Sequence, residues 1–119
     1  MNFSLSLKRS LPVILQTEVA ECGLACLAMV AGFHGHETDL GSLRRRFSVS
    51  LKGLSLLDLS RIASVLSLAT RPVRIELNDL SKLQTPCILH WELRHYVVLE
   101  KVTAKGAYIH DPARGRRMV

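Results

Sequence analysis

The feature that most limits how this chain can fold is the uncharged stretch from Cys22 to Gly32, written C-G-L-A-C-L-A-M-V-A-G. Almost every side chain in it is apolar or small, so a helix formed here would be hydrophobic all round and would have to lie inside a domain. The turn before it, Thr17 to Glu21, contains two carboxylates, which favour the positive N-terminal end of a helix. The sequence therefore predicts a buried central helix from Cys22 to about Phe33.

Two shorter helices are predicted to follow. Thr38 or Asp39 can cap the first of them. Ser55, with Asp58 three residues later, forms a capping-box-like start for the second. The apolar faces of the two helices are predicted to be Leu40, Leu43 and Phe47 for the first and Leu59, Ile62, Ala63 and Leu66 for the second.

After Leu68 the apolar pattern changes to a period of two residues, which is typical of strands. The alternating segment Arg71–Leu77 predicts an edge strand, because Pro72 cannot donate a backbone hydrogen bond. Three short apolar runs and a fourth beginning near the end predict an antiparallel meander: Cys87–Trp91, His95–Val102, Ala107–His110 and Arg116–Val119. Helices first and strands second predict an α+β fold, with N-terminal helices packed on a C-terminal antiparallel sheet.

The length of 119 residues predicts a single domain over 1–119, with a flexible lead-in over 1–11. The net charge of +6 includes clusters at Arg44–Arg46 and Arg114–Arg117. Because no aromatic side chain lies among these arginines to stack on bases, a nucleic-acid interface is disfavoured. A solvated face, or a contact with another domain or an anionic membrane surface, is the favoured interpretation. No secretory signal or membrane-spanning run is recognisable, which predicts a soluble, intracellular portion of chain.

The three cysteines are an odd set, which argues against a disulfide framework. Cys22 and Cys26 have the wrong spacing for a zinc or redox pair, so no metal or cofactor is expected. A helix N-terminus favours the thiolate, the form that attacks, and Cys22 stands at that position. Gly23 is expected to leave room there for a substrate carbonyl, whereas Cys26 and Cys87 have the pattern of buried structural thiols. Position alone leaves Cys22 equally open to a structural and a functional role.

A functional cysteine needs a base, and the histidines differ in how well they could supply one. His34 and His36 lie in a turn with acidic neighbours, a weak hint of a metal site. His90 has only Glu92 nearby, on a turn. If His95 opens one strand and Asp111 ends the next, the two are roughly opposite, where Cβ atoms lie ~4.5–5.5 Å apart. His95 with Asp111 is therefore the best candidate base for Cys22.

Four motifs occur together and in order: Q-T-E-V-A-E-C-G-L-A-C-L-A-M-V, P-C-I-L-H-W, R-H-Y-V-V-L and H-D-P-A-R-G. The stretch from about Pro12 to Gly115 thereby resembles the N-terminal double-glycine leader peptidase domain of bacteriocin-processing ABC transporters. The likeness is greatest to the colicin V and microcin type of exporter. The resemblance implies a papain-like cysteine peptidase fold, and it implies that the domain normally continues beyond the C-terminal end of this chain.

The resemblance also implies roles for four residues. Cys22 would be the nucleophile, His95 its general base, and Asp111 the group that orients His95. Gln16, with the backbone N–H of Cys22, would stabilise the oxyanion. The substrate would be a precursor peptide cut after a Gly-Gly or Gly-Ala pair at the cytoplasmic side of the bacterial inner membrane. Export would use transmembrane domains and an ATP-binding domain in the same polypeptide.

Two other functions remain open at this point. Some exporters of large repeat toxins keep this domain without the cysteine and use it to hold their substrate. A papain-fold hydrolase or transferase acting on another amide would need the same residues as the leader peptidase. The presence of Cys22, His95, Asp111 and Gln16 together favours an active peptidase.

Overall fold

The computed structural model describes residues 9–91 and 95–119. The helices are α1 (Cys22–Phe33), α2 (Leu40–Arg46) and α3 (Leu56–Val65), with 3-10 turns at Val19–Glu21 and Leu77–Lys82. The strands are β1 (Cys87–Trp91), β2 (His95–Thr103), β3 (Gly106–Asp111) and β4 (Gly115–Met118). Helices therefore precede the sheet, as the α+β prediction required. Within the described ranges, no helix has both the length and the apolar character needed to cross a membrane.

Helix α1 is the centre of the molecule. Every residue from Cys22 to Ala31 is buried, because α2, α3 and β2 pack around the helix. The uncharged sequence predicted this burial, and the helix has the bounds that were expected. A helix buried on all sides cannot rotate without exposing apolar surface, so the residue at its first position is held in a fixed place.

The two shorter helices begin where their capping residues predicted. The carboxylate of Asp39 accepts a 2.7 Å hydrogen bond from the backbone N–H of Ser42. The Ser55 hydroxyl accepts a 3.1 Å bond from the N–H of Asp58, which completes a capping box. All the apolar positions predicted for the two helices lie in or against the same buried cluster as α1.

The four strands form one antiparallel sheet in the order β1-β2-β3-β4. Along β2 the side chains alternate between two apolar clusters. Tyr96 and Val98 belong to the cluster around α1, and Val97 and Leu99 belong to a second cluster with Ile109. The predicted meander is thus confirmed, with the β1–β2 link at 92–94 lying outside the described residues. The sheet has apolar packing on both faces.

The predicted edge strand over Arg71–Leu77 is wrong. This segment has no regular structure up to the 3-10 turn that begins at Leu77. Val73 and Leu77 are 58% and 78% exposed, so the alternation of residue types does not bury one face. An alternating pattern stabilises a strand only when one of its faces is covered. The chain instead continues to Leu80 and Leu83, which pack on the second cluster of the sheet.

The segment before α1 is tied to the sheet by hydrogen bonds. The ring nitrogens of the buried His110 each have a partner, Nδ1 at 2.9 Å from the Pro12 carbonyl and Nε2 at 2.9 Å from Glu100. Leu11 and Ile14 pack against the cluster around α1. Of the predicted flexible lead-in over 1–11, residues 1–8 lie outside the described part. From Leu11 onward the chain is fixed to the domain.

Replacing Leu24 by alanine tests the central position of α1. Leu24 is fully buried, so Leu24→Ala should lower the free energy of unfolding by about 2–5 kcal/mol. Urea denaturation followed by circular dichroism measures this change. Leu51→Ala is the control, because Leu51 is 99% exposed and its truncation should change stability by less than about 0.5 kcal/mol. Equal effects of the two substitutions would contradict the assignment of α1 as the core.

Candidate active site

His95 and Asp111 lie on adjacent strands and are joined by a hydrogen bond. His95 is the first residue of β2, and Asp111 is the last residue of β3. The strand register, which pairs Val98 with His110, makes the two positions diagonal to each other and not directly opposite. His95 Nε2 nevertheless lies 2.6 Å from Asp111 Oδ1. The predicted meeting of these side chains is therefore confirmed, while their catalytic roles stay predictions.

Asp111 is surrounded by groups that favour its charged form. Its Oδ1 also accepts a 2.9 Å bond from the N–H of Ala113, and its Oδ2 lies 3.3 Å from Arg117 Nη2. Burial disfavours the carboxylate, but the bonds from His95 and Ala113 and the charge of Arg117 together lower the pKa of Asp111 below its ordinary value. An ionised Asp111 can only accept, so His95 donates from Nε2. Nδ1 is then the nitrogen that can take a proton from a thiol.

Cys22 stands at the N-terminus of α1, the helix that packs on β2. It is 4% exposed and belongs to the same cluster as Tyr96, the residue that follows His95 along β2. Helix α1 packs on β2, the strand that begins at His95, so Cys22 and His95 lie on two elements in direct contact. The helix layer and the sheet layer thus each contribute to a single site.

Gly23 has a different role from the one expected. A Cβ atom at this position would lie 3.1 Å from Leu54 Cδ1 and 3.3 Å from Leu59 Cδ1. Both contacts are tighter than ordinary van der Waals packing. The glycine therefore lets α1 approach the start of α3 closely, and the space beside it is filled by these leucines and not by a substrate.

Gln16 is held beside the end of β3. Its backbone N–H donates a 2.9 Å bond to the carbonyl of Pro112, the residue after Asp111. Its side-chain Oε1 is buried and has no hydrogen-bond partner among residues 9–91 and 95–119. A half-turn of the amide exchanges Oε1 with Nε2, so the same place can offer a donor. Gln16 thus brings an amide with unused hydrogen-bonding capacity to the site.

Sequence reasoning missed a hydrogen-bonded network just before Cys22. Glu21 is 5% exposed, and its Oε1 accepts bonds from the Thr17 hydroxyl at 2.7 Å and from the backbone N–H of Glu18 at 3.1 Å. Arg44 of α2 pairs with Glu21 through Nε and Nη2. The Arg44 side chain was expected to point outward, and 48% of it is exposed, but its guanidinium contacts the buried carboxylate. The hydrogen bond from Arg44 lowers the pKa of Glu21 to about 2.

The other histidines have structural partners or lie away from the site. His90 stacks on the Tyr96 ring with 4.8 Å between ring centroids. His34 and His36 are exposed in the turn after α1. In the part of the chain that the structure describes, no group of three or more His, Cys, Asp or Glu side chains could hold a metal ion.

A thiol at a helix N-terminus, beside an imidazole that is oriented by a carboxylate, is the apparatus of nucleophilic acyl transfer. The fold and this site define a cysteine peptidase domain. The model of the Peptidase C39 family matches residues 10–119, so the chain belongs to that family.

Curated relatives of this chain include secretion/processing proteins that are much longer than the chain. The chain is 52% identical over 110 residues to the probable microcin-H47 secretion/processing ATP-binding protein MchF of Escherichia coli. It is 51% identical over 112 residues to the colicin V secretion/processing ATP-binding protein CvaB of the same species. These alignments cover 92% and 94% of the chain but only 16% of each relative, so the chain spans about one sixth of their length.

Two solved structures share the fold. One is a double glycine motif protease from an AMS/PCAT transporter in complex with the leader peptide, at a TM-score of 0.85 and 37% identity. That match covers 94% of this chain and 81% of the other. The second is the peptidase domain of Streptococcus ComA, with a TM-score of 0.82, 24% identity, and coverage of 92% and 86%. The predicted papain-like α+β fold is confirmed.

Alkylation distinguishes Cys22 from the other two thiols. Burial raises the pKa values of Cys26 and Cys87, so both should be almost entirely protonated near pH 7. Iodoacetamide should therefore label Cys22 on the order of tenfold faster than either, as measured by peptide mass spectrometry over time. His95→Ala should slow only the labelling of Cys22. Labelling of Cys26 or Cys87 before Cys22 would contradict the assignment of the nucleophile.

Stability should depend on the ionisation of Glu21. Its pKa falls from 4.5 to about 2 on folding, so the carboxylate stabilises the fold fully above about pH 4.5 and loses this effect as the pH falls through about 2. Relative to Glu21→Gln, the wild type should be more stable by about 2–4 kcal/mol at pH 7, and this difference should shrink between pH 5 and pH 2.

Urea unfolding at a series of pH values measures the difference. Glu37→Gln removes one negative charge from an exposed position, as Glu21→Gln does from a buried one, and controls for the change in net charge. A difference between wild type and Glu21→Gln that stays constant with pH would show that the Glu21 charge is not what stabilises the fold.

Proposed function

We propose that this chain is the peptidase domain of a bacteriocin- or microcin-exporting ABC transporter, and that it removes the leader of a precursor peptide after a Gly-Gly-type pair. The observation that carries the proposal is the hydrogen-bonded His95–Asp111 pair, with Cys22 at the start of the helix that packs on the strand bearing His95, in a chain of the Peptidase C39 family. The 52% identity to a microcin secretion/processing protein supports the choice of substrate class.

The first half of the reaction forms an acyl-enzyme. His95 takes the thiol proton of Cys22 on Nδ1, and the thiolate attacks the carbonyl carbon of the glycine before the scissile bond. The oxyanion that forms accepts hydrogen bonds from the Gln16 amide and the backbone N–H of Cys22. The C–N bond then breaks, and His95 returns its proton to the amine of the mature peptide as that peptide leaves.

The second half releases the leader. A water molecule gives a proton to His95 and attacks the thioester carbon, and the C–S bond breaks to restore the Cys22 thiolate and free the leader carboxylate. Asp111 keeps Nε2 protonated through both halves, and its charge stabilises the imidazolium each time it forms. All proton transfers involve side chains of this chain, so the proposed mechanism requires no cofactor or metal.

The rest of the proposal concerns parts of the protein beyond this domain. Its relatives are secretion/processing ATP-binding proteins that extend well beyond the matched region. We place this domain at the N-terminus of such a transporter, on the cytoplasmic side of the inner membrane. The transmembrane and nucleotide-binding domains, with their ATP, would belong to the same polypeptide. The solved neighbour in complex with a leader peptide supports a leader as the partner of the domain.

Cleavage of a synthetic leader tests the proposal. The chain should cut a peptide consisting of a leader that ends in Gly-Gly and a short tail, with one cut after the second glycine seen by mass spectrometry. Cys22→Ala should bind the same peptide without cutting it. Gln16→Ala should lower kcat by about 10²–10³-fold, because one oxyanion donor is lost. Gln84→Ala, a change at an exposed glutamine of the loop before β1, is the matched control and should leave kcat unchanged.

Three outcomes would contradict the proposal in different ways. If wild type binds the peptide as Cys22→Ala does and neither cuts it, the domain is a non-cleaving substrate holder. If the chain cuts other amides and leaves the Gly-Gly peptide intact, the substrate class is wrong. If Gln16→Ala and Gln84→Ala have equal kcat values, the oxyanion donor has been misassigned.

A further inference from the structure

The five residues between Gln16 and Cys22 form a turn that is mostly exposed, so apolar packing does little to fix its backbone conformation. Of this turn, Thr17, Glu18 and Val19 are exposed, with Val19 at 88%, and only Glu21 is buried. The two ends are anchored separately, Gln16 by its bond to the Pro112 carbonyl and Cys22 by the cluster around α1. Because a single backbone hydrogen bond anchors Gln16 in the described part of the chain, the turn between the two residues also contributes to holding them at a fixed separation.

The Glu21 carboxylate links the end of this turn to its start by hydrogen bonds. Its Oε1 accepts three hydrogen bonds from the start of the turn: from the Thr17 N–H at 3.3 Å, the Thr17 hydroxyl at 2.7 Å and the Glu18 N–H at 3.1 Å. Thr17 directly follows Gln16, and Glu21 directly precedes Cys22. The network therefore links the neighbours of the two residues that would supply the oxyanion donors.

Arg44 completes the network from outside the turn. Its Nε pairs with Glu21 Oε2, its Nη2 lies 3.1 Å from Glu21 Oε1, and the same Nη2 donates to the Thr17 hydroxyl at 2.8 Å. A buried carboxylate without a cation would be strongly disfavoured, so loss of Arg44 would force Glu21 to turn toward water. Thr17 and Glu18 would then lose their acceptor as well.

We propose that Arg44 is a positioning residue that acts through Glu21 to hold the Gln16 amide at the oxyanion site. Arg44 does not touch the reacting atoms. It fixes the turn whose two ends bear the oxyanion donors, and displacement of such a donor by about 1 Å is enough to slow catalysis markedly. This inference rests on the proposed role of Gln16 in the peptidase reaction.

The kinetic test is a double-mutant cycle on leader cleavage. Arg44→Gln should lower kcat by about tenfold and leave KM within about twofold, because the leader still binds but the oxyanion is poorly stabilised. In a Gln16→Ala background the same substitution should have almost no further effect on kcat, since the residue on which it acts is already lost. Arg45→Gln, one residue along the same helix, is the matched control and should behave as wild type in both backgrounds.

An equal loss of kcat from Arg44→Gln in the two backgrounds would overturn the inference, because Arg44 would then act independently of Gln16. A loss confined to KM would also overturn it and would show that Arg44 contacts the substrate. Should Arg44→Gln fail to fold, Thr17→Val replaces it in the cycle. That change removes only an exposed hydroxyl from the network and should lower kcat in the same non-additive way.

A second readout needs no substrate and separates this inference from the proposed function. The side-chain amide of Gln16 can be assigned in a ¹H–¹⁵N spectrum by its absence from Gln16→Ala. Its two signals should move toward the positions of an exposed glutamine in Arg44→Gln and stay in place in Arg45→Gln. If wild type cuts no leader peptide, the proposed function fails and the spectrum alone decides the inference; unmoved signals in Arg44→Gln reject it.

Discussion

Helix α1 is enclosed by α2, α3 and β2, and this enclosure sets the position of everything else in the domain. A helix without a polar face cannot lie at a surface without exposing apolar side chains to water. The other elements must therefore pack against it on all sides. Gly23 allows close packing at the start of the helix, where Leu54 and Leu59 approach the helix backbone. The N-terminus of α1, with Cys22, is consequently presented at one fixed point.

The site lies where two layers of different construction meet. The helical layer supplies a thiol, while the sheet supplies an imidazole and a carboxylate that are already hydrogen-bonded to each other. Within each layer, an ion pair holds a buried carboxylate near the site. Arg117 of β4 reaches Asp111, and Arg44 of α2 reaches Glu21. Each of these arginines compensates a carboxylate that would otherwise be costly to bury.

The elements that depend on nearby residues could be predicted from the sequence. The uncharged run of α1, the Asp39 and Ser55 caps and the meander of β1–β3 were all predictable, because caps and periodicity act over a few residues. The Arg71–Leu77 segment could not be judged in this way, since alternation of residue types does not say whether another element covers one face. The 3-10 turn that begins at Leu77 is instead set by Leu80 and Leu83, which pack on the sheet.

Among the site residues too, some contacts could be predicted from the sequence and others could not. The meeting of His95 with Asp111 followed from the strand order and one turn, and the structure confirms it. The partners of the two arginines did not follow, because a surface cation has many possible directions and only the packed fold selects one. Arg44 lies in a basic run that looked solvated, and its partner Glu21 is on a different element. No local pattern in the sequence connects them.

The order of these residues along the chain has a consequence for synthesis. A ribosome produces the helix with the thiol first, and the imidazole and carboxylate emerge only with β2 and β3, after all three helices. Until those strands pair, the nascent chain has a cysteine but no base to activate it. On the proposed roles, proteolytic activity therefore begins only after β3 has been translated. On the same roles, an incomplete chain that ends before β2 cannot cut the proteins around it.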